Sequence, residues 1–232
     1  MERPFAAFGP DHLAVLGVMS ILAAGLALMG RRADEKTRAS TCAFLGWALV
    51  GYAMASHGYR FFHQTWRCLD CLPLQLCDWV LIACIIALFT RNSLASETAY
   101  FFGLTGTMQA IITPDLQKGF PSWPFFRFFW GHAGIVLAIV CILAVQRFRP
   151  RPGAVWRMFS LINFYAVFVG GLNAVFGWNY GYLCHKPSKA SLLDHLGPWP
   201  WYILSIEFIC LASFLLLCLP WRLRSQQSPR KF

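Results

Sequence analysis

Apolar residues run along this chain in long, nearly unbroken stretches, near positions 11–30, 41–61, 73–90, 97–113, 128–146, 155–177 and 200–221. A helix needs about 20 apolar residues to cross a hydrocarbon core of about 30 Å, whereas a lipid-facing strand needs only about 9–11 and alternates apolar with polar positions. The stretches are helix-length and do not alternate. They predict an all-α, polytopic membrane protein with seven transmembrane helices, residues 1–232 forming a single seven-helix domain without repeats or low-complexity tracts. The fourth stretch is the weakest, because Thr105, Thr107, Gln109 and Thr113 interrupt it.

Composition agrees: 57% of residues are hydrophobic and 13% charged, with 21 Phe and 10 Trp. The net charge of +10 adds an orientation, since Lys and Arg accumulate in cytoplasmic loops. With the N-terminus outside, the inward segments carry Arg31, Arg32, Lys36 and Arg38, then Arg91, then Arg147, Arg149, Arg151 and Arg157, then Arg222, Arg224, Arg230 and Lys231. That is most of the 20 basic residues. An N-terminus outside and a C-terminus in the cytoplasm is therefore predicted, and the basic charge is a topology signal. It gives no soluble basic face for nucleic acid. The start "MERPFAAFGPDHLAV" lacks a basic segment directly before its apolar run and a small-residue cleavage motif, so the first helix is expected to be retained as a span. Short loops and compact size point to a bacterial inner (cell) membrane. No residue pattern sets an oligomeric state.

Under this topology all six histidines, His12, His57, His63, His132, His185 and His195, fall on the outward side, together with Cys77, Asp115 and Asn173. The segment "LPLQLCDW", residues 72–79, places Gln75, Cys77 and Asp78 where oily side chains would serve a span. Ionisable residues in membrane helices face a bundle interior or a watery cavity, so Asp78 should not face lipid. Cys77 is the fifth residue of a helix expected to begin near Pro73, and His132, in "FFWGHAG", is the fifth of one expected near Phe128. Both lie roughly 6 Å below the outer end at 1.5 Å rise per residue. Each residue also has a plainer role open to it: cysteines pack as small apolar side chains, His132 can bond a backbone carbonyl, and Asp78 and Glu207 can pair between helices. Thr105, Gln109 and Thr113 form a stripe that serves as interhelical glue or as a substrate path.

The pair in "CLDC", Cys68 and Cys71, lies in an outward loop. It can close a disulfide, pair with Cys184, remain as thiols, or bind zinc with Cys184 and His185. The disulfide is the favoured reading and no metal site is assigned, because the spacing of strong zinc motifs is missing.

The run "NYGYLCHKPSKASLLDHLGPWPWYILSIE", residues 179–207, together with "LPLQLCDW" and "FFWGHAG", resembles the YwaF family of integral membrane proteins, related to the transmembrane protein 164 acyltransferase family. The likeness extends from "DHLAVLG" in the first helix to "FLLLCLPW" in the last. It implies a compact helical membrane protein and, through the animal relatives, transfer of a fatty acyl chain between phospholipids by a cysteine nucleophile and a histidine. Carried over by position, the nucleophile falls on Cys77 and the histidine on His132; many members carry histidine where this chain has Gln75.

Residue chemistry and resemblance lead to one expectation, a membrane-embedded phospholipid acyltransferase, independent of CoA, that works through an acyl-cysteine intermediate. A thiol needs a base or ion-pair partner to become a nucleophile, and His132 is that partner. Gln109, Asn173 and Tyr165 are candidates to orient the imidazole or bind the oxyanion, with Asp78 and Glu207 bordering the site. The expected partners are membrane phospholipids and lysophospholipids; no cofactor is implied. An ion-coupled transporter built on Asp78, Asp115, Glu207, Asn163 and Asn173, or a non-catalytic membrane scaffold, is the alternative.

Overall fold

A computed structural model describes residues 3–63, 72–187 and 192–226. Helices are α1 (Pro10–Arg32), α2 (Glu35–Phe62), α3 (Leu76–Thr90), α4 (Ser93–Phe102), α5 (Met108–Ile112), α6 (Trp123–Val140), α7 (Ala154–Phe176) and α8 (Trp201–Gln226). A π-helical turn, Gly103–Thr107, joins α4 to α5, and a second, Cys141–Val145, extends α6. The all-α class stands, with no strand among the described residues.

Five helical segments, Pro10–Arg32, Glu35–Phe62, Trp123–Val145, Ala154–Phe176 and Trp201–Leu223, are long and apolar enough to cross a membrane. The protein is a multi-pass integral membrane protein. The remaining two expected spans take a different form. Helix α3 has 15 residues, roughly 22 Å at 1.5 Å per residue, short of a hydrocarbon core of about 30 Å. The fourth stretch is helical from Ser93 to Ile112 but broken by its π turn. Every residue from Ala95 to Phe102 in α4 is buried. Irregular backbone at membrane depth is tolerated where protein surrounds it.

The chain forms two compact units, residues 1–148 and 149–232. In the first, local chemistry sets the helix ends. Pro10 opens α1, with Asp11 in its first turn and Arg31 and Arg32 in its last, matching the helix dipole. The Asp34 carboxylate caps α2 by accepting from the Thr37 amide at 2.9 Å, and hydrogen bonds from Thr37 hold that carboxyl below the usual carboxylate range. Ser122 caps α6, accepting from the Phe125 amide at 3.3 Å. Three contacts order the helices. His12 near the start of α1 bonds the Ile111 carbonyl at 2.9 Å. Gly30 near the end of α1 lies against Ala144. Tyr59 near the end of α2 stacks on Trp123 at the start of α6, with centroids 4.6 Å apart. One end of the unit therefore gathers the starts of α1 and α6 and the ends of α2 and α5. The N-terminal strand-like arm belongs to that end, with the Phe5 amide donating to Gln117 O at 3.0 Å and Gly119 to Arg3 O at 2.8 Å.

In the second unit α7 begins after Gly153 and ends at Gly177, both with positive φ, and packs against α8. Asn179 gathers the turn between them: its Oδ1 accepts from the amides of Cys184 and His185 at 3.0 and 3.1 Å, and its Nδ2 donates to His185 O at 2.8 Å. The Tyr202 hydroxyl donates to Tyr182 O.

A Cβ on Gly30 would lie 2.7 Å from the Ala144 carbonyl oxygen, a backbone atom that cannot swing aside. Gly30→Ala should cost about 1–3 kcal/mol, the usual penalty for overpacking, read as thermal unfolding in detergent. Gly25→Ala, with open space around its Cβ position, should leave the melting temperature unchanged or raise it slightly.

Candidate functional site

Gln75 and Asp78 answer first to the backbone. Gln75 is extended (φ −71, ψ 146) and precedes α3, and the Gln75 amide donates to Asp78 Oδ2 at 3.2 Å. The Gln75 side chain accepts from the Asp78 amide, completing a reciprocal capping box. These polar residues thus satisfy amide donors that an apolar environment leaves costly. Arg60, His57 and Arg127 lie within electrostatic reach of the Asp78 carboxylate.

The capping box moves the helix start. Helix α3 begins at Leu76, three residues later than expected, which makes Cys77 its second residue. Helix α6 begins at Trp123, five residues earlier, which makes His132 its tenth. Counting from helix ends therefore does not place Cys77 and His132 at equal depth, because caps and not the apolar runs set the ends.

A packing contact gives the true register. A Cβ on Gly103, the first residue of the π turn, would lie 3.3 Å from Val80 Cγ1 of α3 and would overlap Ile139 Cδ1 of α6. Three elements meet there, the Val80 and Ile139 side chains lying against the bare Gly103 backbone. Cys77 is three residues from Val80, Thr107 four from Gly103 and His132 seven from Ile139, spacings that keep each residue near the same face of its element. From the junction, Cys77 and Thr107 lie about one turn, and His132 about two turns, toward the end of the unit where α3 and α6 begin.

The imidazole is held in one tautomer. Its Nδ1 bonds the Phe128 carbonyl at 2.8 Å, and the ring stacks on Phe128 with centroids 4.2 Å apart. A carbonyl only accepts, so Nδ1 carries the proton and Nε2 keeps its lone pair. Cys77 is half-buried and faces Thr107. Thr107 is fully buried. It entered the sequence reading only as an interruption of the fourth stretch; the cluster "GLTGT" in an apolar helix was the signal.

The other candidates have local partners. Gln109 is exposed, its Nε2 donating to Thr113 Oγ1 at 2.9 Å, and Thr105 bonds back to Phe101 O at 2.8 Å. Both make intrahelical bonds. In the second unit Asn173 is buried and grips the chain after α7, with Nδ2 donating to Tyr180 O at 2.9 Å and Oδ1 accepting from the Tyr180 amide at 3.0 Å. Tyr165 is buried with its hydroxyl beside Gly181. Glu207 is half-buried on α8 near Cys210. Asn163 bonds back to Phe159 O at 2.9 Å. Cys68 and Cys71 lie outside the described residues, and with them the disulfide. Among the described residues no cluster of three or more His, Cys, Asp or Glu offers a metal site.

Asp78→Asn keeps an acceptor for the cap and removes the charge, so the helix start should survive. Asp78→Ala should cost about 1 kcal/mol of stability as the cap is lost, measured by unfolding in detergent.

No curated protein and no solved structure matches this chain. The family model of the TMEM164 family matches residues 7–218, which takes in both π turns, the Cys77 cap and α6, and the chain belongs to the TMEM164 family.

Proposed function

We propose that this protein is a membrane-embedded, CoA-independent phospholipid transacylase with Cys77 as nucleophile and His132 as general base. What supports the reading is that a thiol and a tautomer-fixed imidazole stand on packed helices, α3 and α6, both toward the same end of the unit from the shared contact at Gly103.

The chemistry runs in two balanced halves. His132 Nε2 takes the thiol proton as Cys77 Sγ attacks the ester carbonyl of a phospholipid. The ester C–O bond breaks, the imidazolium returns the proton to the leaving oxygen, and a lysophospholipid departs from the acyl-cysteine thioester. An acceptor lysophospholipid hydroxyl then gives its proton to Nε2 and attacks the thioester, the C–S bond breaks, and the thiolate regains the proton. The imidazole stands about one turn beyond the thiol, roughly 5 Å along the axis, a span that one water or the acceptor hydroxyl bridges to carry the proton between Sγ and Nε2. Proton transfer by such a base contributes about 10²–10⁴-fold.

The reading includes a topology. The chain crosses a bacterial inner membrane seven times as one domain, α3 and the α4–α5 run supplying the third and fourth crossings, with the N-terminus outside. Cys77 then opens to the outer leaflet, away from cytosolic acyl-CoA, and both donor and acceptor are lipids of that leaflet. Ion-coupled transport, the other class open from the residues, would place its burden on Asp78 and Glu207. Asp78 is engaged in the helix cap.

In vesicles holding an isotope-labelled diacyl phospholipid and an unlabelled lysophospholipid, wild type should move label into the acceptor and carry a thioester mass. Cys77→Ala should abolish both, and His132→Ala should slow transfer by about 10²–10⁴-fold. Equal behaviour of all three proteins would return Cys77 to packing. A membrane-impermeant maleimide applied to intact cells should modify Cys77; modification from the cytosolic side alone would overturn the outward-facing site.

A further inference from the structure

Threonines in the helices of this protein follow one habit. The hydroxyls of Thr41, Thr90, Thr98 and Thr105 each donate to the carbonyl four residues back, at 2.8, 2.7, 3.0 and 2.8 Å, the ordinary way to satisfy a hydroxyl in an apolar helix. Thr107 departs from it. Its side chain is fully buried, yet its Oγ1 makes no hydrogen bond among the described residues. The carbonyl four residues back, that of Gly103, accepts from the Met108 amide five residues on, the bond that defines the π turn. The hydroxyl faces the Cys77 sulfur. Buried hydroxyls are rarely left without a partner, and one that is calls for a functional explanation.

We infer that Thr107 is a positioning residue of the Cys77 site, whose otherwise unpartnered hydroxyl is placed to donate to the sulfur as it ionises and so favours its thiolate. The π turn is where the departure occurs: its wider i→i+5 geometry shifts Thr107 relative to the Gly103 carbonyl, and the hydroxyl is left to the thiol on the neighbouring helix. A sulfur held by an uncharged donor in an apolar site is oriented for attack without a second cation beside the imidazole, and a hydrogen bond to an ionised group is stronger than one between neutral groups. The inference rests on Cys77 being the reactive thiol of the proposed function, but its signature is the reactivity of that thiol itself.

The test compares Thr107→Val, which keeps shape and loses the hydroxyl, with Thr107→Ser, which keeps the hydroxyl. Full-length protein in detergent is alkylated with iodoacetamide at neutral pH, and the rate is read on the Cys77 peptide by mass spectrometry, with lipid transfer followed in parallel. Thr107→Val should slow alkylation of Cys77 by about tenfold, the equivalent of one unit in a thiol's ionisation, and Thr107→Ser should stay within about threefold of wild type, since it retains the donor. Cys184, partly exposed in the turn after α7, serves as the internal reference. Equal rates in wild type and Thr107→Val, or equal loss in Val and Ser, would overturn the inference, the latter by assigning Thr107 to packing. If Thr107→Val does not fold, Thr107→Ala against Thr107→Ser decides in the same way. A hydroxyl-dependent alkylation rate without lipid transfer in wild type would uphold Thr107 and sink acyl transfer; transfer with unchanged alkylation would do the reverse.

Discussion

The contact at Gly103 governs the first unit. Helix α3, the π turn and α6 meet there, with the Val80 and Ile139 side chains packed against backbone that carries no Cβ. In lipid the hydrophobic effect contributes little to helix association, so close backbone approach and van der Waals contact carry it. Gly103 also opens the π turn, and its carbonyl accepts the Met108 bond that defines it. A single residue therefore links the packing of three elements to the register of Cys77, Thr107 and His132.

A second constraint explains most polar residues in this apolar chain. Without water in a hydrocarbon core, every backbone amide and carbonyl needs a partner within the protein. His12 holds the end of α5 through Ile111 O while accepting from the Phe8 amide at 2.9 Å. Gln146 donates to Ala87 O and Leu88 O at 3.0 and 3.1 Å, covering the end of α3. Gln75 and Asp78 cover its beginning. Asn173 does the same for the turn after α7. Each of these residues satisfies backbone groups that apolar surroundings would leave costly.

What remains is small and chemically coherent. A half-buried thiol, a buried hydroxyl without a helix partner and an imidazole with a free lone pair occupy successive turns above one junction. The imidazole acquires its role from a backbone carbonyl that fixes the proton on the other nitrogen. The hydroxyl acquires its availability from an irregular turn. The second depends on a local departure from ideal helix geometry, which survives at membrane depth because the adjoining α4 is enclosed by protein.

Apolar length and the absence of alternation were enough to establish a helical membrane protein, because in lipid only helices and closed barrels leave no backbone group exposed. The family-bearing motifs around Cys77 and His132 were likewise legible, since they consist of residue identities. Helix ends were not. Pro73 and Phe128 looked like starts, but the Gln75–Asp78 box and the Ser122 cap moved them to Leu76 and Trp123, and with them the depth of the two key residues. The stripe Thr105, Gln109 and Thr113 looked like a continuous face only on an unbroken α-helix. Whether a threonine hydroxyl turns back to its own helix or across to a thiol depends on the local helix geometry, and the π turn that alters it at Gly103–Thr107 is a feature of the folded chain. Residue identity determined the solvent, the class and the candidate chemistry; three-dimensional packing at Gly103 decided which polar groups were left to perform it.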